Sequence, residues 1–501
     1  MQETLDTLSL NVRARYPFVY LLTWEEARAL EGIRRLAKTS KRTLYTWSSV
    51  AGLHDGDGTI EGSGPPGAAL TVIEGIEGPA IVVMHDFHHH IEDTLIQRRL
   101  RDLSAVLSER EQCLILLSPR AVVPRGLEKD VVVITLPLPG LKEVARLFHQ
   151  IMRDRKVKVD LELFERYVKA SLGLTAEEIR RVYRKVLLRH KKLGEEQLAE
   201  VISEKSNIIR RSEFLEFHDL SESIGDVGGL EQLKDWLRSR NASFTEKARK
   251  YGLPQPKGLF LLGVQGCGKS LTAKAVADLW KVPLLRLDVG ALVQEVTGVD
   301  EGLRHTIALA ESMAPVVLWV DEIEKAFAGV DGEGGAAAAR LFGNFVTWLQ
   351  EKTKPVFVIA TANNVRALPP ELLRKGRFDE IFFVDLPNIH ERQTIFEIHL
   401  RKRRRDPKDF DTWELAEATD KFSGAEIEQA VIDGMFGGFS EDREVSTQDI
   451  LRSVRDTVPL AVTMDQAIKD LKEWARDRTR PATYDTKRID FFDEWEGGAQ
   501  A

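Results

Sequence analysis

Five short runs in the first third of the chain are rich in β-branched and aromatic residues: Phe18–Thr23, Arg42–Ser48, Ala80–Asp86, Cys113–Pro119 and Val131–Pro137. Between most of them lie helical patterns, as over Glu26–Lys38 and Ile91–Leu107, where apolar positions recur every three or four residues. Strands alternating with helices predict a parallel α/β sheet. Gly52–Gly67, rich in glycine and acid with two prolines, reads as a loop. From Leu141 to about Arg211 the pattern turns helical, with Lys/Arg and Glu interleaved as on a solvated face.

The alternation resumes in the second half. An apolar run ends at Gly263, and further strands are expected at Leu284–Asp288, Val316–Val320, Val356–Thr361 and Glu380–Asp385. Helices follow, with capping-box spacing at Asn388/Glu391 and Ser423/Glu426 and a looser match at Ser446/Asp449. Thr463–Arg480 reads as a charged helix, ahead of an aromatic-acidic tail at Ile489–Trp495.

Composition narrows the classes. A chain of 501 residues has room for two to four domains. The net charge of −7 argues against broad nucleic-acid affinity. The basic run Arg401–Arg405 is explained by solvation near a helix end. Two cysteines, Cys113 and Cys267, cannot form a disulfide framework, so a reducing compartment, the cytoplasm, is expected. No run approaches membrane-spanning length.

The chemistry concentrates in Gly263-Val264-Gln265-Gly266-Cys267-Gly268-Lys269-Ser270, which fits G-x-x-x-x-G-K-[ST], with Leu271 entering a helix behind it. Glycines at Gly263, Gly266 and Gly268 let backbone N–H groups converge on phosphate oxygens, and the helix start adds a positive dipole end. Lys269 would reach the outer phosphates of ATP and Ser270 would ligate Mg²⁺. Cys267 is a small loop-filling residue or an oxidisable thiol.

The run Val316–Val320 ends in Asp321-Glu322, at the strand end where ligands of open α/β sheets gather. Asp321 would hold Mg²⁺ and Glu322 would act as general base on water. Asn363, after the next strand, offers a neutral amide to orient water. Arg374 and Arg377 would stabilise charge on a transferring phosphoryl group. In the first half, Thr23-Trp24-Glu25-Glu26 stands where such a loop would be. It has no glycine or lysine, and two carboxylates there repel a triphosphate. Asp86, after the third strand, lacks a second acid beside it. This half is read as the same general architecture without nucleotide, the alternative being an unrelated α/β domain. His88-His89-His90 reads as a solvated helix start rather than a metal site.

On these residues, with Ile323–Phe327, Phe345–Leu349, Phe357–Asn364 and Leu372–Pro387, the stretch from about Ser221 to Val458 resembles a AAA+ ATPase module. Within that superfamily it is similar to AAA proteins encoded by a hypothetical open reading frame of algal plastids and by cyanobacterial and other bacterial relatives. The resemblance implies an α/β fold with a five-stranded parallel sheet and a helical lid, preceded by a degenerate AAA-like domain with its own helical region. The expected division is 1–140, 141–212 (lid-like helices and linker), 213–388 (large ATPase subdomain), 389–458 (lid) and 459–501 (C-terminal helix and tail).

The resemblance makes Gly263–Ser270 Walker A and Asp321-Glu322 Walker B. Asn363 becomes sensor 1, and Arg374 and Arg377 become arginine fingers acting on a neighbour's ATP. It places Asp226, Val227 and Gly228 at the adenine, His399 near base or ribose, and Gly424 and Ala425 at the lid helix facing the nucleotide. A Mg²⁺-dependent ATPase follows, assembling as a ring, a hexamer, that remodels or regulates a macromolecular partner, protein rather than nucleic acid, away from membranes. A nucleotide-switched scaffold and a nucleic-acid motor are the alternatives. The first pore loop departs from protein-threading members: Glu295-Val296-Thr297-Gly298 has valine where an aromatic residue grips substrate. The second pore-loop region, Gly329–Ala339, is rich in glycine and alanine.

Overall fold

The computed structural model describes residues 1–484, except 57, 191, 210–213, 219–222, 245, 295–298, 328–332, 370 and 375. The first expected pore loop, residues 329–332 of the second and the C-terminal tail lie outside the described residues, and the rest of the second begins the helix Glu333–Glu351. The chain divides into two units, Met1–Lys205 and Ser206–Ala501.

In the first unit, strands β1 (Phe18–Leu22), β2 (Thr43–Ser48), β3 (Gly52–His54), β4 (Thr59–Ile60), β5 (Ala80–His85), β6 (Cys113–Ser118) and β7 (Val131–Thr135) form one sheet. Its order is β4-β3-β2-β5-β6-β1-β7. The five strands expected from sequence are parallel to one another. The stretch expected as a loop instead holds the antiparallel pair β3 and β4, because buried Ser63 hydrogen-bonds Leu53 N–H at 2.7 Å and Trp47 reaches the Ser63 carbonyl. The histidine run also differs. Phe87–His89 is a single 3₁₀ turn in which His88 is buried and only His89 is exposed. The helix expected from Ile91 starts at Thr94, where Asp93 caps it. Helices Leu141–Arg155, Leu161–Ala170 and Ala176–His190 close the unit around the clustered, mutually tilted rings of Phe148, Tyr167 and Tyr183.

The second unit adds β8 (Leu215–His218), β9 (Gly258–Gly263), β10 (Leu284–Leu287), β11 (Val316–Val320), β12 (Val356–Ala362), β13 (Glu380–Val384) and β14 (Arg480–Pro481). The order is β14-β13-β9-β12-β11-β10-β8. Five parallel strands form the centre, as expected. Two short edge strands were not foreseen: antiparallel β8 beside β10, and β14, which ends the charged segment read as one helix. Every residue of β9, β11 and β12 is buried. Helices cover both faces of such sheets, so each strand reads as a continuous apolar run. A large apolar side chain contributes about 1.5–3 kcal/mol by full burial, which leaves little tolerance for polar side chains. Thr361 is the one hydroxyl on these three strands.

In the stretch expected as a lid, helices Ile389–Lys402, Thr412–Ala418, Gly424–Ser440 and Thr447–Asp456 pack around Phe396, Leu400, Ile427, Val431 and Ile450. All three capping boxes form. Glu391 of the first box also accepts from Leu230 N–H at 3.0 Å and Thr483 Oγ1 at 2.7 Å, tying this helix to the residue that precedes helix Glu231–Arg240 and to the chain just after β14.

Candidate functional site

The loop leaves β9 at Gly263 and enters helix Lys269–Trp280 at Gly268. Gly263 packs so closely on β13 that a Cβ would lie 1.9 Å from the Val384 carbonyl. Gly266 has φ +76° and Gly268 φ +87°, which L side chains adopt only under strain. Lys269 is buried and donates to the carbonyls of Gly263 at 2.9 Å and Val264 at 2.7 Å. Burial pushes its ammonium down to about 8. A cation this poorly solvated is one that a phosphate would re-solvate, so the loop fits a polyphosphate. Burial also pushes the Cys267 thiol up to about 12, away from the thiolate that oxidants attack.

Beside the loop, Ser270 Oγ donates to Asp321 Oδ1 at 3.0 Å, and Thr361 Oγ1 donates to the same oxygen at 2.7 Å. A hydroxyl and a carboxylate at a phosphate cradle are the hard oxygen donors that Mg²⁺ takes. Glu322 has φ +47°, a left-handed conformation rare for a residue with a Cβ. Its N–H donates to Thr361 Oγ1 at 2.9 Å. Its Oε1 accepts from Asn363 Nδ2 at 3.0 Å, and Lys325 pairs with its other oxygen from the solvent side. Buried Glu324 accepts from Asn363 N–H at 2.8 Å, and burial raises its carboxyl above the usual range.

The lid meets the loop directly. Ala425 N–H donates to the Gly266 carbonyl at 3.0 Å, and a Cβ on Gly424 would lie 3.3 Å from that carbonyl. The turn Ile224–Asp226 packs on the helix behind the loop, and Val227 is buried in the core with it. Gly228 lies against Ile395 of the lid, where a Cβ would come within 2.4 Å of Ile395 Cγ1. His399 is one turn further on the same helix and 3.4 Å from Glu428. Burial alone would raise the Asp226 carboxyl, but hydrogen bonds from Ser223 hold it below the usual range. The loop, Asp321, Glu322, Asn363 and Gly424-Ala425 therefore converge, with Asp226–Gly228 and His399 along the lid.

Arg374 and Arg377 do not join them. They precede β13, where Asp379 binds the N–H groups of Lys257 and Gly258 at the start of β9. Gly258 to Gly263 is five residues, about 16 Å along the strand, so the pair sits at the opposite end of the sheet from the loop. Nε and Nη1 of Arg377 are buried with no hydrogen-bond partner among the described residues.

Thr361, Glu324 and Lys325 were not anticipated. The signal for Thr361 was its parallel register with Asp321, which sequence spacing does not reveal. Among the described residues no cluster of His, Cys, Asp and Glu suits a metal, and no helix is long and apolar enough to cross a membrane.

Comparison with known sequences is consistent along the chain. Residues 4–136 match the family described as the N-terminal domain of SpoVK-like AAA ATPases, and residues 141–212 match the second domain of that group. Residues 259–386 match the ATPase family associated with various cellular activities (AAA). An uncharacterized AAA domain-containing protein ycf46 of Trieres chinensis is 41% identical over 478 residues, covering 94% of this chain and 96% of that protein. Its counterpart in Guillardia theta is also 41% identical, covering 93% and 94%. That of Pyropia yezoensis is 40% identical over 486 residues, covering 95% and 98%.

Proposed function

The chain belongs to the SpoVK-like AAA ATPase family that includes the ycf46 proteins, and on that premise we propose that it hydrolyses ATP with Mg²⁺ as a ring of identical subunits. The observation that carries this reading is the convergence of Ser270, Asp321, Glu322 and Asn363 on a phosphate loop with a buried lysine. Lys269 and the loop N–H groups hold the phosphates. Ser270 and Asp321 would hold Mg²⁺, which would supply positive charge to offset that of the phosphate oxygens. Glu322, released from Lys325, takes a proton from the attacking water, with Asn363 orienting that water. Asp226, Val227, Gly228 and His399 frame the base and ribose, and Gly424 and Ala425 couple the lid to the phosphates.

The arginines support an assembly. They lie too far along β9 to reach their own loop, so Arg374 and Arg377 serve a neighbouring copy's ATP. An arginine supplied in trans is worth about 10³–10⁵ in rate. Specific ATPase activity, read as phosphate release, should climb steeply with protein concentration, and Arg377→Ala should flatten that curve near its lower end. Flat specific activity in the unmodified protein across the assembly range would reject the trans arrangement. A ring of six in the cytoplasm, with both cysteines free, is the working form, and its partner is a protein.

A second reading, a nucleotide-switched scaffold, is favoured by the first unit, whose own strand end carries buried Glu25 in place of a phosphate loop. The two part on whether a bound partner is unfolded or only released as ATP turns over. Glu322→Gln protein held in ATP is the reagent for capturing it.

A further inference from the structure

We infer that Thr361 is a positioning residue for both acids of the site, setting the magnesium ligand and the general base through one hydroxyl. The inference rests on the ATPase reading above.

Thr361 is the penultimate residue of β12 and is only 1% exposed. Strands β11 and β12 pair in parallel with Val320 beside Ala360, so the next register position sets Thr361 beside Asp321. The hydroxyl has one proton to give and lone pairs to accept with, and both capacities are used. It donates to Asp321 Oδ1 at 2.7 Å and accepts from Glu322 N–H at 2.9 Å. The donated bond shares its acceptor oxygen with Ser270, fixing the carboxylate plane toward the loop. The accepted bond holds the backbone of Glu322 at its strained φ of +47°, which aims that side chain at Asn363. A left-handed non-glycine residue persists only where its surroundings over-determine it, and this bond is such a constraint.

The first unit supplies an internal control. Its β5 and β6 pair with His85 beside Leu117, the register positions that Asp321 and Thr361 occupy in the second unit. Asp86 follows His85 at φ +52°, and its N–H donates to the Leu117 carbonyl at 3.0 Å. The first unit therefore holds its kink with a backbone carbonyl as acceptor, and what it lacks is a hydroxyl that both accepts at the kink and donates to an acid, as Thr361 does. No other polar side chain on β9, β11 or β12 competes for this position.

Steady-state ATPase assays on the full chain test this, with ATP and Mg²⁺ varied separately for Thr361→Val, Thr361→Ser and Glu322→Gln. Hydrogen bonds to charged groups are the stronger class, so Thr361→Val is expected to lower kcat about 10- to 100-fold. The KM for ATP should stay within about threefold, since the phosphate loop is untouched. The Mg²⁺ concentration for half-maximal rate should rise. Thr361→Ser, which keeps the hydroxyl, should restore kcat and the Mg²⁺ requirement to within about threefold of the unmodified protein. A valine variant with unaltered kcat and Mg²⁺ requirement overturns the inference, as does a serine variant as impaired as valine. If valine prevents folding, Thr361→Ala against Thr361→Ser makes the same comparison. Normal turnover in Glu322→Gln would instead sink the ATPase reading, so the two failures are separable.

Discussion

The two units have the same order of central strands, each in its own sheet, and differ in what stands at the carboxyl edge. Numbering the five long parallel strands of each in chain order, β14 left aside, the first sheet runs 2-3-4-1-5 and so does the second, read from the other side. Each carries a short antiparallel strand beside its strand 2. Each keeps a left-handed residue after strand 3, Asp86 and Glu322. The turn after strand 1 is where they part. Five residues, Val264–Gly268, separate β9 from its helix, whereas three, Thr23–Glu25, separate β1 from its own. Three residues offer too few N–H groups to wrap a phosphate chain.

What the first unit has instead is a carboxylate of its own. Glu25 turns inward, is buried, and accepts from Ala176 N–H at 2.6 Å, at the first residue of helix Ala176–His190. Thr175 and Glu178 cap that helix as Ser423 and Glu426 cap the lid helix of the second unit. In the second unit the corresponding helix start meets a carbonyl of the phosphate loop, at Gly266. Arg28 pairs with Glu25 at 2.9 Å and also reaches the Pro137 carbonyl. The remaining carboxylate, Glu26, pairs with His85 at 3.1 Å. An internal anion thus holds the first unit's lid-like helix in place, and the lesson is that a fold can keep a ligand's contacts by supplying them from its own chain.

The largest expected effect separates the two acids at the kink. Glu322→Gln should lower ATPase turnover about 10²–10⁴-fold, the usual value of a general base, whereas Asp86→Asn should leave turnover unchanged. Loss of activity in Asp86→Asn would break the division of labour. Next, Glu25→Ala strands Arg28 and the buried start of helix Ala176–His190, at a cost of about 3–5 kcal/mol for removing one partner of a buried pair. Hydrogen exchange should report faster opening of Ala176–His190 in that variant, with helix Gly424–Ser440 unaffected; equal protection in the two proteins would show that Glu25 is no latch.

The smallest expected effect concerns the cation on the other side of the comparison. Lys269 titrates near 8 in the folded chain against an ordinary 10.5, because burial disfavours its charge. The unfolded chain therefore binds more protons between those values, so this lysine's destabilisation is full below pH 8 and fades toward pH 10.5. Lys269→Met should stabilise the nucleotide-free protein at pH 7 by up to about 3 kcal/mol and remove that pH slope. It should also abolish the thermal shift given by ATP. An unchanged melting temperature in the variant would mean that the loop bears no strain from its lysine.

Local patterns settled much of this from sequence. Parallel strands covered on both faces must be continuous apolar runs, so ten of them were legible, with ends misjudged by a residue or two where caps and register decide. The phosphate loop, the acid pair and Asn363 were legible because each is a short motif at a strand end. The hairpin of β3 and β4 was hidden by glycine and acid, since its order comes from Ser63 and Trp47 rather than from its own residues. His88 read as solvated because a run of histidines says nothing about which one the core takes.

Only the tertiary structure could decide relations between distant positions. Glu25 and Ala176 are 151 residues apart, and nothing in either neighbourhood announces the bond. Thr361 acquires its meaning from the strand beside it, and the arginine pair from lying at the far end of β9. Periodicity and motifs record what a residue needs from its own segment; which partner meets that need is set by packing and register, which the chain specifies only once it has folded.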